Sequence, residues 1–189
     1  MKIGIDEKKL SERDKKLFKI FKFMVKFSFA SLFLHLLLWH SFTAYHLQHI
    51  FACLPAKFIA HLEKSSDVYC KGTVIHTNKF DLSIIPDCTG WKSFLAIFGL
   101  IIATENVDLK NRLIGIFLAI LYIFAVNFAR ITTTLYVGLK YGVNTMEIIH
   151  SILWKLGLMF AVLIYWYFWF KKSKKVKYFS KYNKKSDRL

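Results

Sequence analysis

Cysteine and acidic side chains are scarce in this chain of 189 residues: three Cys, and twelve Asp or Glu against 28 Lys or Arg. No two cysteines stand in Cys-x-x-Cys spacing, which removes the redox pair that a membrane thiol oxidoreductase requires. A metal-ligand signature is also missing. His35, His40, His46, His49 and His61 follow one another along one stretch without Cys or carboxylate at ligand spacing, and only the His46/His49 pair, one turn apart, is a weak candidate. No cofactor is expected. The net charge of +16 lacks a recognisable nucleic-acid-binding module to go with it, so nucleic acid is not an expected partner. The N-terminal stretch shows no small-residue cleavage pattern, so it does not read as a removable signal peptide.

Apolar surface is abundant. Hydrophobic residues make up 55% of the chain and aromatics 17%, with a mean hydropathy of +0.36, more than one small soluble core can bury. The chain reads as an all-α integral membrane protein, a single membrane domain over 1–189 with lipids as its surroundings. Its charges sit at the two ends. Residues 1–26 hold nine Lys or Arg, and so do residues 171–189, whereas the segment 55–90 balances four Lys against four acids. Basic ends around apolar segments assign both termini to the cytoplasm.

Crossing about 30 Å of hydrocarbon takes roughly 20 helical residues. Four segments approach that length within the core at 27–170: about Phe27 to Leu47, Trp91 to Val107, Leu113 to Leu135 and Ile152 to Phe170. The last ends in an aromatic cluster followed by Lys171 and Lys172, an interfacial anchor. Four spans and a cytoplasmic N-terminus return the C-terminus to the cytoplasm and leave 48–90 and 136–150 outside. Within 48–90, residues Gly72–Ile85 are rich in β-branched side chains with a polar turn near Asn78-Lys79. They predict a short extracytoplasmic β-hairpin ended by Pro86, before the second helix. The lysine-rich tail is expected to be unstructured beyond about Tyr178.

This topology puts three chemically capable residues on one membrane face: Cys88, Arg130 and His150. A buried arginine costs about 2.5–3.5 kcal/mol on insertion scales unless it finds a partner, so Arg130 reads as functional rather than as a snorkelling side chain. Asn127 lies one turn earlier on the same face. Cys88 precedes a helix N-terminus, with Gly90 thinning the backbone and Lys92 one turn on. These favour a thiolate, while Asp87 opposes it. Cys53 reads as an inert small hydrophobe or as the disulfide partner of Cys70, which spacing does not decide. Counting along a helix places Trp154 and Gly157 on the His150 face, Trp154 as a wall of the site and Gly157 as a point of close helix approach.

Three segments carry these residues: Asp87-Cys88-Thr89-Gly90-Trp91-Lys92-Ser93, Asn127-Phe128-Ala129-Arg130-Ile131 and His150-Ser151-Ile152-Leu153-Trp154-Lys155-Leu156-Gly157. In that order, over about residues 72–160, they resemble the core of the exosortase/archaeosortase family of membrane cysteine transpeptidases, in a compact form. The resemblance implies cleavage of C-terminal sorting tails from secreted proteins on the outer membrane face, with transfer to an acceptor amine or lipid. It implies Cys88 as nucleophile, Arg130 as oxyanion stabiliser or substrate clamp, and His150 as acid/base or ion-pair partner. Asn127, Gly90, Lys92 and Trp154 are expected to support them. The rival reading is a non-catalytic subunit or scaffold of a transporter, with a thiol oxidoreductase behind it.

Overall fold

A computed structural model describes residues 11–39, 43–64 and 66–186. Residues 1–10 of the basic N-terminal stretch, 40–42 of the first expected span (His40 among them) and 187–189 of the tail lie outside the described residues. Among the described residues there are six α-helices and one small sheet: α1 (Glu12–Trp39), α2 (Thr43–Glu63), β1 (Tyr69–Lys71), β2 (Val74–His76), β3 (Asp81–Ser83), α3 (Trp91–Ala103), α4 (Leu109–Tyr141), α5 (Val143–Ile152) and α6 (Leu158–Ser186).

Among the described residues, two helical stretches are long and apolar enough to cross a membrane: α4, and the run over Val143–Ser173 that joins α5 to α6. Only 33% and 17% of their apolar windows are buried inside the protein. The core helix of a soluble protein hides most of such a window, whereas these present Leu113, Phe117, Leu121, Phe160, Leu163 and Phe168 outward, the disposition that lipid contact favours. The apolar helix α3, at 13 residues, is about 20 Å long and does not by itself reach across about 30 Å. The segment expected as one first span over 27–47 is divided between α1 and α2. The tail beyond Tyr178, expected to be unstructured, continues α6 as helix to Ser186.

Helix α2 lies where an outer connecting segment was expected. Its Ala52, Ala56 and Ile59 repeat at helical spacing and, with Phe51, are buried. They pack against Val68, Ile75, Ile84, Cys88, Ile131 and Leu135 in one cluster. Gln48, His49, Lys57 and His61 interrupt the apolar residues of α2, so it does not read as a span, and Ile50, Leu54, Phe58 and Leu62 remain exposed on it. A second cluster, Ile97, Ile101, Ala119, Ile123, Val162 and Trp169, joins α3, α4 and α6. Helix α1 seats on α3 at Gly99, where a Cβ would run into Ser31 and Phe27.

The expected hairpin is present as antiparallel β2 and β3, with Ile75 opposite Leu82. Thr77 N–H donates to the Phe80 carbonyl at 3.1 Å to close its turn. A further strand, β1, pairs with β2 to give the order β1-β2-β3. Cys53 and Cys70 form a disulfide with a Cα–Cα separation of 5.0 Å. Cys53 is therefore a covalent tie from α2 to β1, not an inert hydrophobe, and Cys88 is the free cysteine.

Candidate active site

Pro86 ends the extended chain after β3 and starts a 3-10 turn, Pro86–Thr89. Cys88 N–H donates to the Ile85 carbonyl at 2.8 Å, and the Thr89 hydroxyl donates to the Pro86 carbonyl at 2.7 Å. Gly90 then reverses the chain into α3 with φ +77°, a left-handed conformation that glycine adopts without penalty. A Cβ there would also press on Ile123 Cγ2 at 3.2 Å and Asn127 Cγ at 3.3 Å. Glycine thus serves both the turn and the close approach of α4.

On α4, Asn127, Arg130, Ile131 and Thr134 form one buried stripe at helical spacing. Two of its polar members converge on a single atom. Asn127 Nδ2 donates to the Cys88 carbonyl at 2.7 Å, and Arg130 Nη2 donates to the same oxygen at 3.0 Å. Arg130 is 5% exposed, and it interacts electrostatically with the Cys88 side chain and with His150. Its Nε and Nη1, together with Asn127 Oδ1 and Trp91 Nε1, are buried without a hydrogen-bond partner. Each such atom costs about 1–3 kcal/mol. Three of these atoms belong to Asn127 and Arg130, the two side chains that hold the Cys88 carbonyl, an expense that packing alone does not explain.

A cavity of about 150 Å³ opens beside the thiol, bounded by residues 82–85, by Cys88, by Ile131 and Thr134 of α4, and by His150 of α5. It brings Cys88 and His150 to the same walls although 62 positions separate them, while Arg130 donates to the Cys88 carbonyl. Thr134, which also donates from Oγ1 to the Arg130 carbonyl at 2.9 Å, is a further member of the site that no sequence motif singled out. Its spacing of seven from Asn127 was the available signal.

The supporting residues are arranged less simply. Lys92 Nζ pairs with Asp87 Oδ2 at 2.7 Å, so the two charges flanking Cys88 answer each other. Trp154 is 40% exposed and does not line the cavity. The chain passes through a π-helical turn over Leu153–Gly157 directly after α5. A π turn accommodates an extra residue, so an ordinary helical count from His150 does not hold across it. A Cβ at Gly157 would meet only Leu153, at 3.7 Å, and among the described residues no other helix comes within 4 Å of it. His49 Nδ1 lies 2.7 Å from the Gly72 carbonyl, and no group of three or more metal-ligating side chains occurs among the described residues.

The structure thus brings together a free buried thiol, a histidine on the walls of the same small cavity and a buried arginine bonded to the Cys88 carbonyl. A family model described as transmembrane exosortase (Exosortase_EpsH) matches residues 16–170, well beyond the 72–160 region that carries the three motifs. No curated protein and no solved structure matches the chain.

Proposed function

The chain belongs to the transmembrane exosortase family, and on that premise we propose that it is a membrane cysteine transpeptidase that removes C-terminal sorting tails from secreted proteins at the outer membrane face. The observation that carries this reading is the cavity shared by Cys88 and His150, with Arg130 buried against the Cys88 turn.

The Cys88 thiolate attacks the scissile carbonyl carbon, forming an S–C bond as the carbonyl electron pair moves to oxygen. Nε and Nη1 of Arg130, donors without a protein partner, stabilise the developing oxyanion. As the tetrahedral intermediate collapses, the C–N bond breaks and His150 gives a proton to the departing amine. An acceptor amine or hydroxyl, such as one on a lipid head group, then attacks the thioester, returns a proton to His150 and frees Cys88. Water in the acceptor's place would give hydrolysis. A small, apolar-walled cavity at the membrane disfavours that outcome.

The basic ends support cytoplasmic termini. The Cys53–Cys70 disulfide supports an oxidising, extracytoplasmic setting for the sheet and the site beside it. The test is Cys88→Ala expressed with a secreted protein ending in an apolar helix and a basic cluster. The tail is expected to remain, and normal tail removal would overturn the reading.

A further inference from the structure

The two edges of the sheet are treated differently. Strand β1 is packed against α2 and tied to it through Cys70. Strand β3 is the other edge, and its side of the sheet faces the cavity that holds Cys88 and His150.

The hydrogen-bond pattern says which of its groups are taken. Thr77 N–H donates to the Phe80 carbonyl at 3.1 Å, and Ile84 N–H donates to the Thr73 carbonyl at 2.9 Å. With Ile75 opposite Leu82, it follows that Phe80, Leu82 and Ile84 turn their main-chain groups toward β2. In an antiparallel pair the intervening residues turn theirs the opposite way. Asp81 and Ser83 therefore direct N–H and C=O outward, and no backbone hydrogen bond takes them up among the described residues. Both residues are exposed. A free edge is a template for another strand, and five positions separate Ser83 from Cys88.

We infer that the β3 edge binds the main chain of the substrate, an extended peptide segment next to the scissile bond, as an added strand that delivers its carbonyl to Cys88. This rests on the reading of Cys88 as nucleophile and names how that site holds its substrate. Main-chain hydrogen bonds to Ser83 and Asp81 supply affinity whatever the side chains are. Alternate side chains of the peptide fall toward Ile131 and Thr134, where selectivity then resides. Three residues of strand offer only a few bonds, so the paired segment is short. An edge with bare polar groups is compatible with water or a peptide but not with lipid, which keeps acyl chains away from the thiol.

The probe is acetyl-Ala-Ala-Ala-chloromethyl ketone, reacted with the full chain in detergent micelles with the disulfide intact, so that Cys88 is the free thiol. Alkylation is followed by intact mass, with chloroacetamide as the comparison reagent. N-methylating each alanine amide in turn should slow the reaction about fivefold at alternate positions only, since each bond to the edge is lost or kept by the pleat. Ser83→Pro deletes an outward N–H that the ladder does not use. It should slow the peptide reagent by about the same factor and leave chloroacetamide unaffected. Equal rates across the N-methyl series, or a peptide reagent no faster than chloroacetamide, would overturn the strand pairing while leaving the nucleophile in place. Failure of both reagents to reach Cys88 would remove the nucleophile reading and this inference with it.

Discussion

The side-chain amide of Asn127 donates to the main-chain carbonyl of Cys88 at 2.7 Å, across 39 positions of sequence. That bond ties the turn presenting the thiol to the buried stripe of α4. Asn127→Ala removes one of the two donors to the Cys88 carbonyl, which keeps its bond from Arg130, for about 0.5–1.5 kcal/mol of stability, and loosens the thiol's aim. Tail processing should fall at least tenfold even at temperatures where the variant is fully folded. Asn127→Asp should behave alike, since a carboxylate cannot donate. Full activity in either variant would show that the bond does not position Cys88.

Arg130→Lys keeps the charge and discards the planar fork. A single ammonium cannot hold the Cys88 carbonyl and also serve an oxyanion. The variant should lose about 10²–10³ in rate while its Cys88 remains open to chloroacetamide. Retained processing would reduce Arg130 to a charge.

The Cys53–Cys70 disulfide closes a loop with a sequence separation of 17, which corresponds to about 3 kcal/mol of stabilisation. Cys53→Ser with Cys70→Ser should lower the melting temperature by several degrees and leave α4 and its stripe in place. Thermal melts with and without reductant check this. The same melt for both would mean that the tie contributes nothing to the fold.

Glu105, in the connection between α3 and α4, accepts a hydrogen bond from Lys26 Nζ of α1 at 2.8 Å. That bond, aided by the charges of Lys26 and Lys22 and opposed by slight desolvation, holds its pKa below the ordinary 4.5. A lowered carboxylate pKa stabilises the fold above the unfolded-state value, and the stabilisation disappears as pH falls through the folded-state value. With both partners about two-fifths exposed, the effect is below about 1 kcal/mol and weakens with salt. Glu105→Gln should melt slightly below wild type at pH 7, and the gap should close as acidification protonates Glu105 in the folded protein. A gap independent of pH would contradict the pairing.

Much of this site is visible in the chain because its residues are expensive. Arg130 beside Asn127 in an apolar helix, and a glycine directly before one, are choices that packing alone does not explain. The hairpin was legible from β-branched residues bracketing a polar turn. The third strand and the disulfide were not, because three residues of strand carry no period and cysteine spacing does not identify partners. Helix α2 was hidden because Gln48, Lys57 and His61 interrupt its apolar residues before they reach the length of a span. Trp154 was misplaced because a π turn is a property of the backbone that side-chain periodicity does not record.

The most direct measurement is to trap the acyl-enzyme. Full-length protein in lipid vesicles is mixed briefly with a tailed secreted substrate, quenched in acid and weighed intact. Wild type should gain the mass of the truncated substrate on Cys88, hydroxylamine should remove it, and Cys88→Ala should show no adduct and no tail release. Tail release by Cys88→Ala, or an adduct on another residue, would contradict Cys88 as the acyl-forming nucleophile.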